Sequence, residues 1–585
     1  MCWQHMPGYE VDLPSSNSVG LLLRQRGQLD AAIAHLTLTT LVFRGFKSHA
    51  HELISTATSS TAGFGQMEAA PARPAAAAPP GATLARARPP AALQRSLPLA
   101  TSRSSSREVS KTWAFAILAW GWRASRRPKG ELSLGAAERS RSGSRRIACR
   151  AAAEVQSDFV SACSMAPTWE EAVEEVAQEV GTGFEAAFVF ASELYVDQAQ
   201  GMAPLMETLR ERLDVEHLVG GAAGGSIGRC VGKMATDYGK CEEGEPIEVE
   251  RGFVLSVAAI RTAGAVPFFV AGDASGDLEL INRMAEGGAV RSMLLLADPF
   301  GPVEQIMQTL DESFPKVTKA GGITAALRVG SGTQVGFMPS MSICSRGNQA
   351  RLLSQGICGL MMTDMDVHTV VCQGCLGVGP AVRISNVSGP VVLGIGGRPA
   401  KEALGLIFGN VDETLREKMR SSLLLGLGSP GVNENSIDDG DWLIRGIQEV
   451  TPNGGFVVGG ALEEGQALRF HVRDKESAEA DLKLMLNRYR LERSFSGGQE
   501  PLGCLLFTCN GRGENLYGRR HVDARALQEA LGDLGSRVTG FFCNGELGAP
   551  GLTKPSEELA SRDEVRPMSL HGFTAVFAIL VPAKS

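Results

Sequence analysis

Long apolar runs, acids in the leader and paired cysteine motifs are all scarce in this 585-residue chain, and each scarcity excludes something. The apolar run of the leader, Trp113 to Trp122, is about half the span of a membrane-crossing helix, and nothing after Arg150 approaches one. No membrane role is therefore expected. The twelve cysteines follow no disulfide-scaffold rhythm, and a chain this long needs no staples, so a reducing compartment is expected. Cys372-Gln373-Gly374-Cys375 is a lone C-x-x-C with no second pair at zinc-finger spacing. It also lacks the aromatic and proline setting of a thioredoxin-like motif, so turn packing is the expected role and a redox pair the alternative. The Gly220 to Gly228 run has no Walker lysine behind it, which favours tight turning over a nucleotide site. The acidic body shows no basic patch with interleaved aromatics, which argues against a nucleic-acid partner.

Acids are nearly missing from Met67 to Arg150. Fourteen Arg and two Lys face four Glu there, a net charge of +12, which leaves −19 of the overall −7 to the rest of the chain. A basic, Ala/Ser/Pro/Arg-rich opening before an acidic body has the composition of an organelle transit peptide. Ile147-Ala148-Cys149-Arg150-Ala151 is similar to a plastid processing site, so the plastid stroma is the expected location and the cytoplasm the alternative. A basic nucleic-acid arm is disfavoured because serines and prolines far outnumber lysines. Met1 and Met67 are both candidate starts.

The most informative stretch runs from Cys504 to Pro550. Cys504 to Cys509 is a short apolar strand, and Asn510-Gly511-Arg512-Gly513 breaks it with residues that accept tight-turn geometry. Ala524 to Leu534 puts Leu527, Ala530, Leu531 and Leu534 on one helical face. Gly540 to Cys543 returns as a strand, and Asn544 to Gly548 turns again. Such a unit makes a parallel pair whose two turns sit at the carboxyl ends of neighbouring strands, where α/β sheets keep their ligands. Cys509, Asn510, Arg512, Cys543, Asn544 and Glu546 are therefore expected to share one crevice, with His571 nearby.

The same order recurs twice upstream. A capping box at Thr168 and Glu171 opens an amphipathic helix. Ala186 to Ala191 then reads as a strand, Ser192 to Gln200 as a polar loop and Ala203 to Leu213 as a helix, before the Gly220 to Gly228 turn. Ser292 to Ala297, Val303 to Leu310 and Gly321-Gly322 repeat the pattern. Each interval fits one strand–helix–strand crossover. The fold class expected is α/β with α+β character: two lobes, each a mixed β-sheet flanked by helices, behind a disordered leader. The boundaries are 1–166 for the leader, 167–373 for the first domain and 374–585 for the second.

The chain resembles the FIST family. The blocks that carry the resemblance are Gly503 to Gly513, Gly540 to Gly548, Leu570-His571-Gly572-Phe573-Thr574 and Phe470-His471-Val472-Arg473-Asp474. Phe188 to Ser192, Gly220 to Gly228 and Gly321-Gly322 support it in the first half. The resemblance implies paired N- and C-terminal FIST domains and a sensory module for small ligands such as amino acids. The family also includes members with an F-box; no F-box is recognised here, nor any effector domain.

The resemblance and the residues together suggest a ligand binder without catalytic turnover, metal or cofactor. Arg512 offers a fork for a carboxylate, Glu546 can receive an ammonium, and the flanking glycines let backbone N–H groups approach. Cys509, Asn510, Cys543, Asn544, His571, Gly220 and Gly221 complete the expected site. A structural ion pair between Arg512 and Glu546 is the plainer alternative. A protein-interaction scaffold is the second functional reading. A cysteine- or metal-dependent enzyme using Cys509, Cys543 and His571 is the third, although free Cys is commonly a small buried hydrophobe.

Overall fold

The computed structural model describes residues 158–583, apart from 232–234, 237–238, 241, 273–275, 330–335, 430, 438–440, 498 and 554–565. The leader, with its transit-peptide reading and both candidate starts, lies outside the described residues. What is described is mixed α/β, as expected, with parallel and antiparallel pairing in the same sheets.

All three strand–helix–strand units form parallel pairs. They are Ala186–Ser192 with His217–Ala223, Ser292–Ala297 with Thr318–Ile323, and Gly503–Cys509 with Val538–Cys543. Each pair sits inside its own sheet between two antiparallel neighbours. The first is flanked by Leu255–Ile260 and Met341–Ser345, the second by Gly356–Met362 and Glu546–Gly548, the third by Thr574–Pro582 and Ser226–Arg229. A strand that follows each parallel pair joins the next unit's sheet, and the exchange closes a ring. Ser226–Arg229 leaves the first unit for the third, Glu546–Gly548 leaves the third for the second, and Met341–Ser345 leaves the second for the first. The strands thus cross the 373/374 sequence boundary in both directions.

Side-chain alternation along the strands places this ring. One face of all three sheets meets in a common core containing Phe190, Leu294, Phe507 and Phe541. There the rings of Phe190 and Phe541 stack at 4.7 Å and Phe507 meets Phe541 edge-on at 5.8 Å. The other face of each sheet is covered by helices. Trp169–Val180 and Met202–Leu213 cover the first, Val303–Ser313 the second, and Lys475–Ser496 with Val522–Leu531 the third. The Trp169 helix starts as expected, with the Thr168 hydroxyl accepting from the Glu171 N–H at 3.3 Å.

A separate seven-stranded sheet with its own core is inserted between strand Met365–Gln373 of the third sheet and that sheet's parallel pair. The chain enters it at Gly374, between Met365–Gln373 and Cys375–Ser388, and leaves it through Ala467–Arg473. Helices Ala400–Gly409 and Glu413–Ser422 cover one side, with Leu404, Phe408 and Met419 in the core.

Two local expectations need correction. Glu193–Gln198 is a helix and not a loop, held by burial of Tyr195 and Val196 and by the Tyr195 hydroxyl donating to the Ala166 carbonyl. The Gly220 to Gly228 run is not one long turn: it is two strands joined at Gly224-Gly225. Gly220, Gly321 and Gly540 are equivalent positions in the three units, each opposite the fourth residue of its parallel partner. A Cβ on Gly321 would lie 2.1 Å from the Leu295 carbonyl oxygen, and one on Gly540 1.8 Å from that of Leu506. On Gly220 the nearest atom is the movable Met206 sulfur, at 2.7 Å. Overpacking of this kind costs about 1–3 kcal/mol. Gly321→Ala and Gly540→Ala should fall in that range, and Gly220→Ala well below it. Urea midpoints check the ranking, and equal losses at all three positions would contradict it.

Candidate functional site at the C-terminal turns

The two turns lie side by side at the carboxyl ends of adjacent parallel strands, with Cys509 paired to Cys543 in register. The exposed Asn510 and Asn544 are joined by a 2.8 Å hydrogen bond from the Asn510 amide to the Asn544 carbonyl oxygen. Asn544 in turn donates to the Thr324 carbonyl of the second unit at 2.8 Å. Glu546 and His571 are register partners on short strands that join the second sheet. Gly220 and Gly221 belong elsewhere. Both are buried in the first sheet, and a Cβ on Gly221 would meet the Thr324 methyl at 2.6 Å, so close strand packing accounts for glycine there.

Arg512 is fully buried, and its partner is Asp523, not Glu546. Nε and Nη2 each donate to Asp523 at 2.8 Å, and Nη2 also donates to the Tyr517 hydroxyl. Thr508 and Tyr517 both donate to the same carboxylate, at 2.9 Å. Burial works against both charges. Their mutual attraction and these hydrogen bonds outweigh it, so Arg512 titrates well above and Asp523 below the ordinary range. The first half of the chain braces this pair. The buried Glu248 accepts from the Ala524 N–H at 2.7 Å, at the start of the helix that carries Asp523.

One group on Arg512 stays open. Its buried Nη1 has no hydrogen-bond partner among the described residues. The same holds for both terminal nitrogens of Arg473, for Glu546 Oε1 and for His571 Nδ1. Buried polar atoms are nearly always satisfied, so several such atoms close together mark a place for water or a ligand. The Arg473 and Arg512 guanidinium groups share a neighbourhood, since both act on the Glu546 carboxyl and on the Cys375 thiol. A Cβ on Gly374 would come 3.3 Å from Arg512 Nη1, and one on Gly511 would come 3.2 Å from Arg473 Nη2 and 3.6 Å from the Cys509 sulfur. The glycines leave the room that the guanidinium groups occupy. Phe573 holds the rim with a left-handed backbone, φ 66°, and its ring lies 5.0 Å from the Arg473 guanidinium. Such a backbone is uncommon for a bulky residue and is found where surrounding structure enforces it.

Electrostatics sort the roles. Burial pushes Glu546 up to about 8, against the pull of Thr574, Arg512 and Arg473, so its carboxyl is largely protonated at neutral pH. Its other oxygen accepts from the Thr574 hydroxyl at 2.7 Å. Burial lowers His571 to about 4, and the neutral ring contacts the Gly548 carbonyl at 3.0 Å through Nε2. Burial also raises Cys509, Cys543 and Cys375, the last to about 12, which disfavours the thiolate that a nucleophile needs. Cys372 and Cys375 are both free thiols, one on each side of Gly374. Among the described residues no group of three or more His, Cys, Asp or Glu is placed to hold a metal ion.

The FIST N domain model matches residues 185–398, and the FIST C domain model matches residues 401–549. The chain belongs to the FIST family. FIST domains are generally sensory domains of signal transduction and are associated with small-molecule sensing. An uncharacterized protein of Mycobacterium tuberculosis is 30% identical over 296 residues, covering 49% of this chain and 67% of that protein. An uncharacterized protein of Mycobacterium bovis is 28% identical over 296 residues with the same coverage. The junction between the FIST N and FIST C matches falls inside the inserted lobe, between Arg398 and Lys401. The cluster of open polar atoms therefore draws most of its residues from the FIST C match. Gly374 and Cys375 come from FIST N, and His571 and Phe573 from beyond residue 549. Among the described residues, no helix is long and apolar enough to cross a membrane.

Arg473 was legible in part. It stands in the Phe470 to Asp474 block, but nothing in a strand-ending arginine tells that its fork is left open. Asp523 and Tyr517, which occupy Arg512, carry no local signal.

Proposed function

We propose that this FIST protein binds a small zwitterion, an amino acid or a derivative, at the Arg473–Arg512–Glu546 cluster, and acts as a sensory or adaptor module. The observation that carries the reading is the set of open atoms: three guanidinium nitrogens of Arg473 and Arg512, and one oxygen of the Glu546 carboxyl on which both arginines act. Asp523 neutralises Arg512, and among the described residues no ion pair neutralises Arg473. The charge left over is one cation, matched to one carboxylate. Glu546 ionises when an ammonium group arrives, which completes the balance for a zwitterion. Arg473 is the principal anion anchor, and Arg512 Nη1 adds one further donor.

Charge-assisted hydrogen bonds contribute about 1.5–3 kcal/mol each, so Arg473→Ala should weaken an amino-acid ligand roughly tenfold to a hundredfold. Arg473→Lys should recover part of this, since an ammonium keeps the charge without the fork. Thermal-shift screening of the full chain against amino acids and the corresponding keto acids finds the ligand, and calorimetry gives the affinities. An unchanged affinity in Arg473→Ala sinks the assignment.

A protein-interaction role is the second reading. Leu484, Leu491 and Phe495 lie along one face of the Lys475–Ser496 helix and are 65%, 53% and 88% exposed. Plastid import, from the +12 segment, completes the proposal; an intact Met1 or Met67 terminus on the native protein contradicts it.

A further inference from the structure

The open atoms come from two parts of one compact unit. Arg473 ends the last strand of the inserted lobe, whereas Arg512, Glu546 and Cys509 belong to the three-sheet core. The lobe has its own hydrophobic core, with Leu404, Leu425, Phe456 and Phe470 among its members. Two chain crossings connect it to the rest: Gly374 on the way in and Arg473-Asp474 on the way out. They run side by side, with Cys375 and Arg473 in register and the Asp474 N–H donating to the Gly374 carbonyl at 3.3 Å.

Away from the crossings the seam is thin in places. Gln373 donates to the Trp442 carbonyl at 2.6 Å, and Phe573 packs beside Trp442 and Ile444. Further along, an open cleft of about 470 Å³ separates Leu443 and Arg445 of the lobe from Met307, Asp311 and Met568 of the core. The exposed Arg566–Asp441 ion pair, at 2.8 Å, bridges the same seam. Two adjacent crossings, a self-contained core and an open wedge are the parts of a hinge.

We propose that the ligand's carboxylate ties the lobe to the core by accepting from Arg473 and from Arg512 Nη1 together, so that occupancy is read out as the position of the inserted lobe. This rests on the ligand reading above and adds its output. The Arg473 and Arg512 guanidinium groups both act on the Cys375 thiol and the Glu546 carboxyl, and each keeps buried nitrogens without a hydrogen-bond partner among the described residues. A bound carboxylate turns that arrangement into a bridge across the hinge. The ligand thus makes more contacts in the closed state than in the open one, which is the differential affinity any population shift requires.

The test uses the full chain carrying spin labels on non-natural residues at Leu406 of the lobe and Leu484 of the core, both exposed. The probe is an equimolar mixture of the common amino acids, and pulsed dipolar spectroscopy reads the inter-lobe distance. The expected result is a broad distribution that becomes shorter and narrower with the mixture, and no such change in Arg473→Ala. Arg473→Glu places a carboxylate next to Arg512 from the lobe itself and should shift the distribution with no ligand added. If the mixture raises the melting temperature while the distance stays unchanged, the tie is overturned and the binding reading stands. If the mixture does nothing but Arg473→Glu shifts the distance, the tie stands and the amino-acid reading fails. If neither moves the distance, the tie is overturned.

Discussion

Arg512→Ala is expected to lose about 3–5 kcal/mol of stability, because it leaves the fully buried Asp523 carboxylate without its counter-charge. The loss should exceed that of any other single change at the C-terminal turns. Arg512→Lys should recover little, since one ammonium cannot replace Nε and Nη2 on both carboxylate oxygens. Asp523→Asn should cost a comparable amount from the other side of the pair. The double change Arg512→Met with Asp523→Leu should be milder than either single one, because it removes both charges together. Denaturant melts of the four variants decide the matter. If Arg512→Ala unfolds at the wild-type midpoint, the pair carries no stability. Any effect on ligand affinity would come from Nη1 alone and should be smaller than that of Arg473→Ala.

The second large effect concerns pH. Burial raises Glu546 to about 8. An ammonium group beside it favours the ionised form, so binding a zwitterion expels a proton. Affinity is then fullest above about pH 8 and falls roughly tenfold for each pH unit below it, or about a hundredfold by pH 6. Calorimetry in buffers of different ionisation enthalpy should show one proton released per ligand at pH 7. A plain monocarboxylate should show no such release. Glu546→Gln should lose both the release and the pH slope.

Stability should run the opposite way. Glu248 and Glu546 are both held near 8 in the folded chain, so the native state binds protons that the unfolded state has given up above its usual carboxyl range. Their joint contribution is therefore largest at acid pH and declines as pH rises from about 4.5 to 8. Glu546→Gln should flatten that decline, giving a variant that melts higher at pH 8 while binding the ligand more weakly. A binding change without the stability change would separate Glu546's electrostatics from its packing.

Much of the local architecture was written in the chain. The runs at Ala186, Ser292 and Cys504 are short, apolar and bounded by turn residues, and their spacing to the next strand is that of a single helical crossover. Local geometry then leaves little choice but a parallel pair, and all three formed. Periodicity likewise announced the helices at Trp169, Met202 and Val303. The neighbouring positions of the Asn510 and Asn544 turns follow from the same pairing. Where local reading failed, at Glu193–Gln198 and at Gly220 to Gly228, side chains distant in sequence decided the backbone. Ala166 took the Tyr195 hydroxyl, and strands packed closely over glycine.

Partnership was decided only in three dimensions. A strand that follows each parallel pair joins a different unit's sheet, an exchange that depends on burying three apolar faces at once and leaves no mark on spacing. A charged side chain has the same ambiguity. Arg512 has acids available in Glu546, Glu514 and Asp523, and the sequence ranks none of them. The fold buries Arg512 beside Asp523 and Tyr517, where the bidentate geometry is complete. It brings Arg473, at the end of the inserted lobe, to act with Arg512 on the Glu546 carboxyl. Sequence determined which groups were available, through residue type and local period. Tertiary structure decided which of them are satisfied and which are left without a partner among the described residues, because desolvation acts on a side chain's whole surroundings and not on its neighbours in the chain.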